Sequence, residues 1–529
     1  MSVFRLLRYG VDIPTLRLSK TASSAPATPA DSLFCRRCAA FVLAGTLCLC
    51  WPMLLQGGAL VFYDTGGYLW HGWRLLDVAA ELLGVPGGLP DPAGGVDVAD
   101  PSMALSSAPV GAPVSAPGLP IGEAPALRGA MAKAASTRSL FYSLFVYVSS
   151  RPFGLAGTAM LQTAFVLLVA WAVLRDALVP FGRRAIVGCA AVALLTPLPF
   201  MASFAMPDLL GAVPILFAML LARGWDTLDG RSRLVVTLIT CVALLAHLGN
   251  IPLALACLSS AIAIRLLDGR RDPVSILLAL GPLLLVIGFN ATLSRMAFGE
   301  VQVTPYRVPV MLARSMEDGP ARRYLQEHCD SEGYAVCELF EEFPDDVGQI
   351  LWKADGAYIQ APLEVQARVR AEEMTIVLRT VAAYPLWQIA ALMRNSLLQF
   401  SRVGTADIAL HDVELRVVPK NGLQFDRRRG REFLKAAGLV HRLTWFAGLA
   451  AISVLVARSR SLDRTPLPNG APALLVVLVI GLLANAAIYG GLSAPVDRYQ
   501  SRVAWLAPAV AFWLCALLAA RTPADSTRR

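Results

Sequence analysis

Charge is what this chain has least of. Of its 529 residues, 16% are Asp, Glu, Lys or Arg and 56% are hydrophobic. Soluble domains carry about 25% charged residues, so the string of soluble domains that length alone would suggest is excluded. Lysine is nearly missing. Lys20, Lys133, Lys353, Lys420 and Lys435 are the whole set, and the formal charge of +9 is therefore carried by arginine. The arginines stand in short clusters between apolar runs. That is the footprint of membrane orientation and not of a polyanion groove, so no nucleic-acid partner is expected. A lysine-poor chain rich in alanine and arginine suggests a bacterium with GC-rich coding.

A cysteine framework is also missing. Cys48, Cys50, Cys189, Cys241, Cys257 and Cys515 lie in apolar runs and read as packing residues. Cys35 and Cys38 form C-R-R-C without a second ligand pair, which argues against zinc. Whether Cys329 and Cys337, in a predicted external loop, form a disulfide is left open by the sequence. A cleavable leader is not evident either. The first 38 residues hold six basic side chains and no sustained apolar run. The stretch 39–62 is too long for a signal-peptide core, lacks a small-residue cleavage site, and reads as a first span. No repeat recurs at a solenoid period.

What the chain has is apolar runs. They predict an all-α membrane protein of about ten transmembrane helices, near 39–62, 154–177, 184–205, 208–223, 233–248, 251–267, 274–296, 438–457, 471–492 and 503–520. With the N-terminal tail (1–38) and the C-terminal tail (521–529) in the cytoplasm, one set of loops collects the arginines. These are Arg175, Arg183 and Arg184; Arg223, Arg231 and Arg233; Arg265, Arg270 and Arg271; Arg458, Arg460 and Arg464. The apolar stretches Leu140–Val148 and Val381–Met393 would invert that pattern as spans, so they read as interfacial or re-entrant helices. The expected organisation is a bundle over 39–296, an external loop at 63–153, an external α-rich loop domain at 297–437, and a second bundle at 438–520. Within the first loop, 84–130 is rich in Pro, Gly, Ala and Ser and reads as a disordered insert.

Four polar clusters fall at the external ends of predicted spans. The first is F-Y-D-T-G-G-Y, with Asp64 where apolar sequence stops and Tyr68 beside it. The second is A-M-P-D-L-L, with Asp208 opening a span. The third is A-H-L-G-N-I-P, with His247 and Asn250 in a tight turn. The fourth is S-A-P-V-D-R-Y-Q-S-R, where Arg498 and Arg502 are spaced to share a helix face on either side of Tyr499. Each has an ordinary structural reading, as a helix cap, a packing residue or a headgroup anchor. Their shared depth and shared face favour a site, because carboxylates at an apolar boundary are costly unless solvated or paired. A transporter would instead place ionisable groups near mid-depth, where these runs are almost purely apolar.

On these motifs the chain resembles the GT-C superfamily of polytopic glycosyltransferases. The matching features are Asp64 after the first span, a long first loop with an in-plane helix, Asp208 opening a later span, and Arg498-Tyr499 before the last. Many members carry an acidic pair in the first loop, whereas this one offers Asp64 alone. The resemblance implies inverting transfer of a sugar from a polyprenyl-phosphate-linked donor to an envelope glycan or lipid acceptor, on the external face of a bacterial inner membrane. It implies Asp64 as general base, with Asp208 orienting the acceptor or Asp64 itself. Arg498 and Arg502 would hold the donor phosphate, with His247, Tyr68 and Tyr499 around it. No cofactor follows from the residues, and a divalent metal is unsupported. Three other readings stand beside this one. An O-antigen polymerase or ligase would use Arg394, Arg402 and His411. A lipid-linked glycan transporter would need broken helices with polar groups at mid-depth. A non-catalytic assembly protein would leave the external acids apart.

Overall fold

The structure, a computed structural model, describes residues 33–82, 138–181, 183–298, 301, 303, 308–352, 356–405, 427–459, 467–468 and 470–519. The expected insert at 84–130, the C-terminal tail and His411 lie outside the described residues. Among those described, 83% are helical and there are no strands. One isolated parallel bridge joins Leu60 to Phe204.

Seven helices are long and apolar enough to cross a membrane: Arg36–Leu55, Leu140–Asp176, Asn250–Leu267, Pro273–Arg295, Glu432–Ser459, Ala471–Gly491 and Asp497–Ala519. The pair Glu364–Ala383 and Pro385–Ser401, bent by 107°, makes eight if counted as one broken span. The chain is thus a multi-pass membrane protein. The long element over 140–181 merges two helices. Its backbone leaves helical geometry at Phe153 and Gly154, next to Pro152. This break separates the short stretch 140–148 from the span that follows.

We label the elements used below in chain order: α1 (Arg36–Leu49), α2 (Tyr63–Leu82), α3 (Leu140–Phe181), α4 (Arg183–Leu195), α5 (Ala212–Arg223), α6 (Gly230–Ala246), α7 (Asn250–Leu267), α8 (Pro273–Phe298), α9 (Val310–Asp318), α10 (Pro320–Glu332), α11 (Leu363–Ala383), α12 (Pro385–Ser401), α13 (Arg427–Ser459), α14 (Ala471–Ala486), α15 (Asp497–Ala504) and α16 (Leu506–Ala519).

Three runs expected as spans form the shorter helices α4, α5 and α6, of 13, 12 and 17 residues. At 1.5 Å per residue the 12 residues of α5 reach about 18 Å, short of the ~30 Å hydrocarbon layer. α5 is also enclosed, with every residue from Ala212 to Ala222 buried. A helix that is apolar all round belongs inside other helices, and α5 is the centre of the main core. α8 and α13 instead expose Leu277, Leu284, Leu285, Leu439, Leu443 and Phe446, as lipid-facing helices do.

α5 runs from a turn carrying Asp208 to Arg223, and α7 runs from Asn250 to Arg265 near its end. Their far ends form an arginine belt. Arg265 makes two 3.1 Å bonds to Asp226, Arg223 pairs with Asp176, and Arg270 pairs with Asp268 at 2.6 Å. Arg233 lies over Trp225 and Arg223 over Trp513.

Residues 308–384 hold a second, smaller core around Leu312, Met316, Leu325, Leu351, Val369 and Ile376. A disulfide joins Cys329 to Cys337. This unit is tied to α12 through Asp318. That carboxylate is almost fully buried and takes the Arg314 fork, the Asn395 amide and one Arg394 nitrogen at 2.9 Å.

Candidate functional site

The end of the bundle opposite the arginine belt is built on two chain segments stitched together. The Leu60 N–H donates to Ser203 O at 2.8 Å, and the Ala205 N–H donates to Leu60 O at 2.9 Å. The Thr65 hydroxyl accepts from the Phe62 N–H at 3.0 Å and donates to Ala205 O at 3.3 Å. From within α3, the Gln162 amide donates to Phe204 O and accepts from the Tyr142 hydroxyl. The turn leading to Asp64 and the turn leading to Asp208 are therefore one structural unit.

Asp64 sits in the first turn of α2, where the helix N-terminus favours a carboxylate. Its Oδ1 accepts from Arg138 Nε at 3.1 Å and Nη2 at 2.7 Å. Asp208 occupies the first turn of the 3-10 helix Pro207–Gly211 and is 2% exposed. Its Oδ1 has no hydrogen-bond partner among the described residues, which is costly for a buried carboxylate.

Arg502 lies against the C-terminal end of that 3-10 helix and is fully buried. Its guanidinium lies against Gly211, where a side chain would leave no room: a Cβ there would stand 2.9 Å from Cζ. Nε and Nη2 donate to Asn485 Oδ1 at 3.1 and 2.7 Å, and the Tyr489 ring covers the group at 3.6 Å. Its Nη1 has no partner among the described residues. One turn earlier, Arg498 lies over the Phe62 ring at 4.5 Å and the Tyr499 ring at 5.0 Å. The last span thereby reaches the F-Y-D-T-G-G-Y motif directly.

Tyr68 lies among these groups. Burial pushes its phenol above the ordinary range, and the nearby Asp64 carboxylate adds to the rise. Arg138 opposes it, Asp208 adds a smaller push, and Arg498 opposes. Tyr68 also meets Tyr142 edge-on at 4.9 Å. His247 lies one layer away. Its Nδ1 accepts from the Gly249 N–H at 3.1 Å and faces the Tyr489 hydroxyl at 3.2 Å. A ring nitrogen that accepts a backbone N–H carries no proton there, so His247 is neutral and orients Tyr489 instead of presenting positive charge.

All seven flagged residues, Asp64, Tyr68, Asp208, His247, Arg498, Tyr499 and Arg502, thus belong to one contiguous cluster. Arg394 and Arg402 do not. Arg394 pairs with Asp318, and Arg402 donates to Pro495 O. Among the described residues no group of three or more His, Cys, Asp or Glu side chains is gathered as a metal site.

Sequence reasoning missed Arg138, Asn485 and Tyr489. Asn485 had a signal, as the single polar side chain in α14. Tyr489 stands in a π-helical turn, Ala487–Gly491, a feature frequent at functional sites but silent in sequence.

No family model, curated protein or solved structure matches the chain.

Proposed function

We propose that this chain is a GT-C-like glycosyltransferase. It moves a sugar from a polyprenyl-phosphate-linked donor to an envelope glycan or lipid acceptor on the external face of a bacterial inner membrane. The observation that carries the reading is the stitching of the turns that carry Asp64 and Asp208 at one end of the bundle, with Arg498 over Phe62 of the same motif. Carboxylates and guanidiniums at one membrane face are what an inverting transfer from a lipid phosphate needs: a base for the acceptor and charge for the leaving group.

Asp64 is the base and Asp208 orients the acceptor. Arg498 meets the donor phosphate. Arg502, one turn deeper and sealed under Tyr489, backs the turn that carries Asp208. The arginine belt at the far ends of α5 and α7 supports a cytoplasmic assignment for that end, with both termini inside and the site outside. The Cys329–Cys337 disulfide supports an external, oxidising setting for residues 308–401. In this topology α4, α6 and the enclosed α5, lengthened by the 3-10 turn Pro207–Gly211 that leads into it, are taken as the remaining passes, about ten in all.

The test is turnover by the purified full chain in proteoliposomes. The donors are undecaprenyl-phosphate-linked glucose, galactose, mannose and arabinose, with an envelope lipid extract as acceptor. At least one donor releases polyprenyl phosphate, and Asp64→Asn lowers that rate about 10²–10⁴-fold, the range of a lost general base. No release from any donor contradicts the reading.

A further inference from the structure

The motif that opens α2 holds two glycines whose use the sequence does not explain. Gly67 lies one turn after Asp64, so the two share a helix face. A Cβ at Gly67 would stand 2.6 Å from both Cζ and Nη1 of Arg138. The guanidinium therefore rests on bare helix backbone and reaches Asp64 from there. Its two bonds to Asp64, from Nε and Nη2, both go to Oδ1. Asp64 Oδ2 has no hydrogen bond among the described residues.

The residue that follows Arg138 is anchored twice. The hydroxyl of that residue, Ser139, accepts the Tyr142 N–H at 3.0 Å and so caps the start of α3. The same hydroxyl donates to Leu245 O at 2.5 Å, two residues before His247. The backbone next to Arg138 is thus pinned to α3 and to the end of α6, independently of Asp64.

We infer that Arg138 is a positioning residue for Asp64, seated by Gly67, and that it fixes the carboxylate so that Oδ2 alone takes the proton. The inference rests on the reading of Asp64 as base. In the step it serves, the acceptor oxygen bonds to the anomeric carbon as the glycosyl–phosphate bond breaks. The bonding pair leaves on the phosphate, and the hydroxyl proton passes to Oδ2. A fork on Oδ1 stops the carboxylate rotating and keeps Oδ2 in place, and a small misplacement at such a centre is expensive in rate.

The experiment uses the full chain in proteoliposomes with the four undecaprenyl-phosphate sugars, and two readouts. In steady-state kinetics, Arg138→Ala and Gly67→Ala each lower kcat about 10- to 100-fold with KM little changed. Arg138→Lys stays low because an ammonium cannot supply the fork. Added guanidinium ion restores Arg138→Ala and does nothing for Asp64→Asn, a rescue that a merely structural role would not give. The second readout needs no turnover: carbodiimide labelling of Asp64, followed by mass spectrometry, rises several-fold in Arg138→Ala and Gly67→Ala. Full kcat in Arg138→Ala beside an inactive Asp64→Asn overturns the positioning role. An active Asp64→Asn overturns the base assignment instead. Unchanged labelling in both Arg138→Ala and Gly67→Ala overturns the pairing itself, whether or not any donor is turned over.

Discussion

Arg502 shows how far a residue's sequence setting can stand from its role. Four residues after Arg498 and five after Asp497, it reads as half of an exposed basic pair. In the structure it is fully buried, bonded to an amide and covered by an aromatic ring. Arg is suited to this because its planar group stacks and forks, where an ammonium would not. Replacing Arg502 with Met leaves Asn485 Oδ1 without the two bonds it accepts from Arg502. The expected cost is about 1–3 kcal/mol, read as a lower unfolding midpoint of the detergent-solubilised protein. Arg498→Ala leaves that midpoint nearly unchanged and raises the KM for the lipid donor. Equal midpoints for Arg502→Met and the wild type would refute the buried role. The seven flagged residues stand out in sequence as ionisable or aromatic groups at the ends of apolar runs. Arg138 does not, because its bond to Asp64 spans 74 residues and no local pattern announces it.

At the scale of elements, hydropathy located the long helices and left open which of them meet lipid. α5 and α8 read alike as apolar runs, yet α5 is enclosed and α8 exposes Leu277, Leu284 and Phe289. Length separates them, and a window average blurs length. Amphipathic patterning shows better in α12. Leu386, Ile389, Met393 and Leu397 form one exposed stripe, while Asn395 and Gln399 are buried on the other side. Gln399 exchanges two 2.9 Å bonds with the Val496 backbone, so α12 braces the segment that carries Arg498. Asp318 ties α9 to α12, and the long separations in that network, up to 77 residues, hid it from sequence. Asp318→Ala takes from Arg314, whose side chain is 7% exposed, its buried partner and leaves it the part-exposed Glu317 at 3.2 Å, so the loss falls toward the low end of the usual range. Removing one partner of a buried pair costs about 3–5 kcal/mol. Limited proteolysis should then cut within 308–401 at lower protease concentration than in the wild type. An unchanged digestion pattern would show that the tie is dispensable.

For the whole molecule, the two ends of the bundle divide the labour. One end carries arginines closed into ion pairs and aromatic contacts. The other carries carboxylates and guanidiniums, of which Asp208 Oδ1 and Arg502 Nη1 have no hydrogen-bond partner among the described residues. The proposed orientation rests on that asymmetry and is open to measurement. Glu341→Cys should react with a membrane-impermeant maleimide in intact cells, and Arg271→Cys only after permeabilisation. The reverse would invert the topology and place the site in the cytoplasm. The central claim is that Asp64 removes a proton from a glycan or lipid acceptor at this external end. Its most direct test is the rate of polyprenyl-phosphate release by Asp64→Asn beside the wild type, in the same vesicles and at the same protein level. A loss of about 10²–10⁴-fold with donor binding retained is the expected result. Wild-type turnover by Asp64→Asn would contradict the account.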